Sequence, residues 1–363
     1  MPKILLDGIS KKYGKALVVN NLTLEIHDGE FACLLGPPGA GKTTILRMIA
    51  GLVSQDKGNI YIGDKVVNDL PPAQRDVAMV FQTFALYPHL TVFENIASPL
   101  RKKNLSDSKI KRKVEEVAEV LGITHLLQKA PGLLSGGERQ RVAIGRSIAK
   151  EPNVLLLDEP LSNLDAKLRI HMRAELKKLQ RRLGITTVLG TPDELEALTM
   201  SDRIAVMRNG ELIQHDSTEN IYDHPKNLFV AKFVGSPPMN TLKFTLEKEK
   251  DRMLGKFGTF DLDLTKFQDR LQKIESGTEL IFGIRAPDIA LQPEGKDRQR
   301  IEATVYTIEP MGAETVVALK LGDTIVKTKV PSPHKIDIDQ KVRLAFDEDA
   351  VHVFDTKTED AVF

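Results

Sequence analysis

A serine and two glycines, Ser135-Gly136-Gly137, lead into the helix-forming run Glu138-Arg139-Gln140-Arg141. At the start of a helix such residues present backbone N–H groups and the positive end of a dipole to an anion. Upstream, Gly36-Pro37-Pro38-Gly39-Ala40-Gly41-Lys42-Thr43 follows the G-x-x-x-x-G-K-[ST] spacing of a phosphate-cradling loop. In that pattern the glycines let backbone amides approach phosphate oxygens, Lys42 reaches the outer phosphates, and the Thr43 hydroxyl faces Mg²⁺. Downstream, Val154-Leu155-Leu156-Leu157-Asp158-Glu159 is an apolar strand ending in two carboxylates. Phosphate-binding groups joined with a strand-ending acid pair point to phosphoryl transfer, a chemistry dominated by positioning and charge stabilisation.

These groups need a scaffold. The chain has 363 residues, too many for one ordinary core, so two or more domains are expected. Lys plus Arg total 51 against 50 Asp plus Glu, which gives no overall basic field for nucleic acid. The one cysteine, Cys33, lies in an apolar run, so no intramolecular disulfide forms and a reducing cytosol is expected. No stretch approaches the roughly 18–20 apolar residues of a membrane span, and Met1-Pro2-Lys3 runs into the strand-like Ile4-Leu5-Leu6 without a signal-peptide pattern. Work at a membrane would require docking onto another chain. The basic clusters at 101–103 and 109–113 could suit nucleic acid or lipid. Glu115, Glu116 and Glu119 follow them, and a solvated helix face is the expected reading.

Over residues 1–235, short apolar runs alternate with helical periods, as in an α/β layer fold. Phe31–Leu35 and Val154–Leu157 are continuous apolar runs that suit strands buried on both faces. After Lys42, Ile45, Ile49 and Leu52 repeat at helical spacing, and Gly51 sits where that helix should end. The charge-rich stretch from about 90 to 150 reads as a helical subdomain inserted into this core. Beyond Gly235-Ser236-Pro237-Pro238 the pattern becomes β-branched and alternating, at 279–284, 300–307, 315–319, 324–330 and 342–346. With Gly322-Asp323 as a hairpin signal, residues 236–363 are expected to form a small all-β barrel.

Phosphate loop, Ser-Gly-Gly run and acid pair, in this combination, resemble the nucleotide-binding subunit of an ABC transporter. The resemblance implies ATP and Mg²⁺ as ligands. Nucleotide contacts fall on Gly36, Pro37, Pro38, Gly39, Ala40, Gly41, Lys42, Thr43 and Thr44, with Tyr13 stacking on adenine; an ordinary packed tyrosine is the other reading of Tyr13. Asp158 would hold Mg²⁺ with Thr43, and Glu159 would orient and deprotonate the attacking water. Gln82, in Phe81-Gln82-Thr83, matches the glutamine that touches Mg²⁺ and that water, so the catalytic set is Glu159, Gln82 and Lys42. The continuation Ala85-Leu86-Tyr87-Pro88-His89 would contact a transmembrane partner. Ser135, Gly136 and Gly137 would cap the γ-phosphate bound on an opposing subunit, and Ser162-Asn163-Leu164-Asp165 would cross the same interface.

One position departs from that family. Where relatives read Thr-His-Asp, this chain reads Thr191-Pro192-Asp193, before Glu196-Ala197 and Asp202-Arg203-Ile204. Proline has neither a side-chain donor nor a backbone N–H, so it cannot contact a γ-phosphate as an imidazole would. Two readings follow: pairing with a paralogous, histidine-bearing ATPase subunit, or a homodimer that hydrolyses ATP with Glu159 and Gln82 at reduced rate. The C-terminal segments Gly235–Asn240, Gly283-Ile284-Arg285-Ala286-Pro287-Asp288, Glu309–Glu314 and Val351–Asp355 resemble the OB-like, TOBE-type regulatory domain of maltose and multiple-sugar importers. That resemblance implies ATP-driven import of a carbohydrate at the cytoplasmic face of the membrane. Its partners would be two transmembrane permease subunits and, through them, an extracytoplasmic solute-binding protein. A soluble ABC ATPase without a transport role and a nucleotide-sensing regulatory module are the rival classes.

Overall fold

Ten strands of the first unit build two sheets. They run, in chain order, β1 (Ile4–Tyr13), β2 (Ala16–Ile26), β3 (Phe31–Leu35), β4 (Lys57–Ile62), β5 (Lys65–Val66), β6 (Val77–Val80), β7 (Val154–Asp158), β8 (Thr186–Thr191), β9 (Arg203–Arg208) and β10 (Glu211–Ser217). A computed structural model describes residues 1–103, 105–292, 300–333 and 335–363. The chain packs as two units, Met1–Thr218 and Glu219–Phe363, and the boundary expected at residue 235 falls inside the second.

The central sheet has the order β10-β9-β3-β8-β7-β6, and all its pairings are parallel except β10 with β9. Every residue of β3, β7 and β8 is buried, which is why their sequences carry no polar alternation. A smaller antiparallel sheet, ordered β2-β1-β4-β5, contributes Ile4, Leu6, Leu24 and Ile60 to a core shared with Leu34 and Leu156. Helix α1 (Lys42–Ala50) fills that core with Ile45, Leu46 and Ile49, and it stops where Gly51 turns left-handed at φ 77°.

The helical segment comprises α2 (Val92–Arg101), α3 (Asp107–Val120) and α4 (Gly136–Ile148), around a separate cluster that includes Ile96, Leu100, Val114 and Val142. The basic run on α3 lies on an exposed face, where Lys111 and Arg112 face Glu115 and Glu116 one turn on at 4.0 and 3.5 Å. Two further helices, α5 (Ala166–Leu183) and α6 (Glu194–Met200), flank β8 in sequence.

At the start of the second unit, α7 (Thr218–Asp223) and α8 (Leu228–Phe233) precede ten strands among the described residues. Two five-stranded antiparallel sheets share one apolar core, to which Phe244, Phe282, Val305, Leu319, Leu344 and Val353 all belong. Gly322-Asp323 closes a hairpin in which Leu321 pairs with Thr324, and Gly322 takes the positive φ that such a tight turn demands.

Candidate active site

Parallel strands end on the same edge of their sheet, and that fact assembles the site. The carboxyl ends of β3, β6, β7 and β8 lead into Gly36, Gln82, Glu159 and Pro192 respectively, as expected for ligand sites of open α/β sheets. The loop after β3 is tied to β8 by the Gly36 N–H, which donates to the Thr191 carbonyl at 3.4 Å.

The loop geometry depends on its glycines. A Cβ on Gly36 would lie 2.4 Å from the Met207 carbonyl oxygen, and one on Gly41, at φ 97°, would lie 2.7 Å from that of Val18. At Gly39 the corresponding space is open. The Lys42 ammonium donates to the Gly36 and Pro37 carbonyls at 2.8 and 3.0 Å. Burial pushes its pKa below the usual lysine range, and the Glu159 carboxylate opposes that shift. A buried ammonium whose bound partners are neutral carbonyls suits a polyphosphate. Gly41→Ala is expected to destabilise the protein by about 1–3 kcal/mol, through strain at a left-handed position. A thermal melt checks it, and unchanged stability would show that the loop can relax.

Opposite the loop, the Thr43 hydroxyl donates to Asp158 Oδ1 at 2.8 Å, across a sequence separation of 115 residues. Burial raises the Asp158 pKa, and the Thr43 hydrogen bond counters it. Hydroxyl and carboxylate oxygens are hard donors, and Mg²⁺ is held by one or two such groups together with phosphates rather than by an all-protein cage. Among the described residues no group of three or more His, Cys, Asp or Glu is arranged to hold a metal ion. Glu159, the next residue, adopts φ 45°, and its N–H donates to the Gly190 carbonyl at 2.9 Å. A glutamate held in left-handed backbone is a strained position, and such strain clusters at functional sites. The Gln82 amide lies 3.3 Å from Glu159 Oε2, and the Asn163 amide donates to the Gln82 carbonyl at 2.9 Å. The structure thus gathers Lys42, Thr43, Gln82, Asp158 and Glu159 along one sheet edge.

Ser135, Gly136 and Gly137 open α4 beside the loop that follows β7: a Cβ on Gly136 would contact Leu164 and the Asn163 carbonyl at 3.5 and 3.6 Å. The anion at this helix end is the chain's own. Ser135 donates through both its N–H (2.7 Å) and its hydroxyl (2.8 Å) to Glu138 Oε2, and it accepts from the Glu138 N–H in a reciprocal capping box. These bonds, the backbone one first, hold the Glu138 carboxyl below its usual pKa. Ser135→Ala is expected to cost about 1 kcal/mol, the usual worth of such a cap. Urea unfolding at neutral pH reads it, and an unaltered midpoint would mean that the box contributes nothing.

Sequence reasoning missed Arg146. From α4 it donates to the Ala85 carbonyl at 2.7 Å and the Phe84 carbonyl at 3.2 Å, with its guanidinium 5.2 Å from the centre of the Tyr87 ring. Phe84 and Ala85 both take positive φ, so this arginine secures the bend after Gln82. No local motif announces such a long-range contact. Tyr13 stands apart at the end of β1, 47% exposed, with the Lys11 ammonium 5.7 Å from its ring centre.

At the end of β8, Pro192 is half-buried in an otherwise regular helix entry. Asp193 caps α6 by accepting from the Leu195 and Glu196 N–H groups at 2.8 and 3.1 Å, and Thr191 donates to Glu196 at 2.7 Å. Side-chain hydrogen bonds thus hold the backbone on both sides of Pro192.

The chain is similar to known proteins over its whole length. Residues 19–162 match the ABC transporter family, 235–289 the MalK OB fold domain, and 282–354 the TOBE domain. The trehalose/maltose import ATP-binding protein MalK of Thermococcus litoralis is 46% identical over 377 residues, covering 100% of each chain. The oligosaccharides import ATP-binding protein MsmX of Bacillus subtilis is 41% identical, covering 99% of each. The sn-glycerol-3-phosphate import ATP-binding protein UgpC of Brucella abortus is 42% identical, covering 98% of this chain and 97% of that one. A dimeric ABC transporter cassette bound to ADP and Pi superposes with a TM-score of 0.54 at 32% identity, covering 59% of this chain and 98% of that one.

Proposed function

The chain belongs to the ATP-binding subunits of ABC importers, and from that premise we propose that it binds MgATP and energises uptake of a sugar, oligosaccharide or related carbohydrate. The observation that carries the reading is the gathering of Lys42, Thr43, Gln82, Asp158 and Glu159 at one sheet edge, in a chain similar to carbohydrate-importer subunits over its whole length. Among the described residues no helix is long and apolar enough to cross a membrane. We propose that the chain docks onto two transmembrane permease subunits at their cytoplasmic side, through the bend after Gln82, on the strength of its similarity to import ATP-binding proteins. An extracytoplasmic solute-binding protein supplies the solute to those subunits.

The residues divide the work as follows. Lys42 and the loop amides bind and orient the phosphates, and Thr43 and Asp158 hold the cation. The cation, when bound, neutralises charge on the phosphates. Glu159, held in place through Gly190 and lying within reach of Gln82, takes a proton from water. Ser135, Gly136 and Gly137 face the nucleotide of a second ATPase subunit.

Pro192 sets this chain's place in the pair. We infer that it binds ATP at its own site, turns it over slowly, and completes the site of a histidine-bearing paralogous subunit. The test is steady-state ATP turnover by the purified chain alone, with Glu159→Gln as the blank and ATP binding measured separately. ATP binding with turnover little above the blank is expected. Turnover well above the blank would replace the paralogue with a second copy of this chain and make the homodimer a self-sufficient motor.

A further inference from the structure

The second unit contains a cleft of about 380 Å³, bounded by the end of α7, the Arg285–Asp288 turn and the segment before and within the last strand. Its size falls in the range of small-molecule sites, roughly 300–1,000 Å³. The charges on its walls narrow what it can take. Arg285, 3% exposed, has its guanidinium turned onto the chain's own backbone: Nε donates to the Tyr222 carbonyl at 3.0 Å, and one terminal nitrogen donates to the Val234 carbonyl at 2.6 Å. Its centre lies 3.8 Å from the Tyr222 ring centre. It contributes positive potential but not an open fork for an anion. Arg270 lies over Phe363 at 5.2 Å, and Asp349 is paired with Lys266 at 2.5 Å.

Two further carboxylates, Asp223 and Asp288, line the cleft, together with His224 and His352. Asp288 is half-buried, and among the described residues it has charged neighbours but no hydrogen-bond donor to its carboxylate; burial first and Asp347 second raise its pKa. His352 is pushed down to about 4 by burial, with Arg285 adding to the effect, so its ring is neutral near pH 7 and offers one donor and one acceptor. An anion would meet the carboxylates of Asp223 and Asp288 beside the Arg270 guanidinium. A cation would meet Arg270 and Arg285. A neutral molecule rich in hydroxyl donors satisfies the carboxylates and the imidazole without charge conflict.

We propose that this cleft binds a neutral polyhydroxylated small molecule, a mono- or disaccharide, with Asp288 and His352 as its principal hydrogen-bonding groups. The choice of sugars over other polyols rests on the carbohydrate reading above; the donor-rich, uncharged character of the ligand does not.

The experiment is calorimetric titration and saturation-transfer NMR of the full-length chain with maltose, trehalose, glucose, myo-inositol and sn-glycerol 3-phosphate. Saturable binding of at least one neutral probe is expected, weakened about tenfold or more by Asp288→Asn, about the effect of one lost charge-assisted hydrogen bond. Lys42→Ala, at the other site, should leave that binding unchanged. Should Asp288→Asn fail to fold, Asp223→Asn on the exposed rim is read in its place. Absence of saturable binding to every neutral probe would overturn the proposal, as would preference for the glycerol phosphate or indifference to both aspartate variants. Binding of myo-inositol without any sugar would support the cleft and remove only its link to the carbohydrate reading.

Discussion

Pro192→His raises ATP turnover by the isolated chain about 10²-fold over the unmodified protein, about the effect of one donor aimed at charge developing on phosphate. The expectation rests on the intact surroundings of Pro192. Asp193 still caps α6, and Thr191 still bonds Glu196 and accepts the Gly36 N–H through its carbonyl. A histidine there inherits a prepared backbone, and it also restores the N–H that proline lacks. The gain must vanish when Glu159→Gln is added, because the imidazole contacts the γ-phosphate, and only a water oriented by the carboxylate can attack it. No change in turnover, with the fold intact by circular dichroism, would show that the site has been rebuilt around another group.

Lys42→Ala weakens ATP binding by about 10²-fold, equivalent to about 3 kcal/mol for a lost charge-assisted contact to phosphate. Its stability signature separates this from simple unfolding. The ammonium is buried against the neutral Gly36 and Pro37 carbonyls, and burial pushes its pKa down, so it is poorly compensated until a polyphosphate arrives. Removing it should leave the melting temperature of the nucleotide-free protein unchanged or slightly higher, while abolishing stabilisation by ATP. Equal ATP affinity in variant and parent would overturn the assignment of Lys42 to the phosphates. A large loss of stability without ATP would assign the lysine to the core.

Much of the site is legible in the sequence because its motifs are local. The phosphate loop, the helix that opens at Lys42 and the glycine that ends it are fixed by spacing and by backbone conformations that few residues adopt. What could not be read is what the sheet brings together. Thr43 meets Asp158 because β3 and β7 both pair with β8, a consequence of strand order rather than of either motif. The left-handed backbone of Glu159 and the grip of Arg146 on the bend after Gln82 also depend on tertiary contacts. At Ser135 the local reading was incomplete in another way. The helix end was seen as an anion site, but the reciprocal bonds to Glu138, only three residues away, were not anticipated.

Those bonds bear on discrimination among solutes. Inorganic phosphate and other small oxyanions are abundant wherever ATP is hydrolysed, and a bare helix start would collect them. Here the Glu138 carboxylate is fixed on the Ser135 N–H and hydroxyl at that start. Its negative charge opposes a free oxyanion arriving there, by like-charge repulsion.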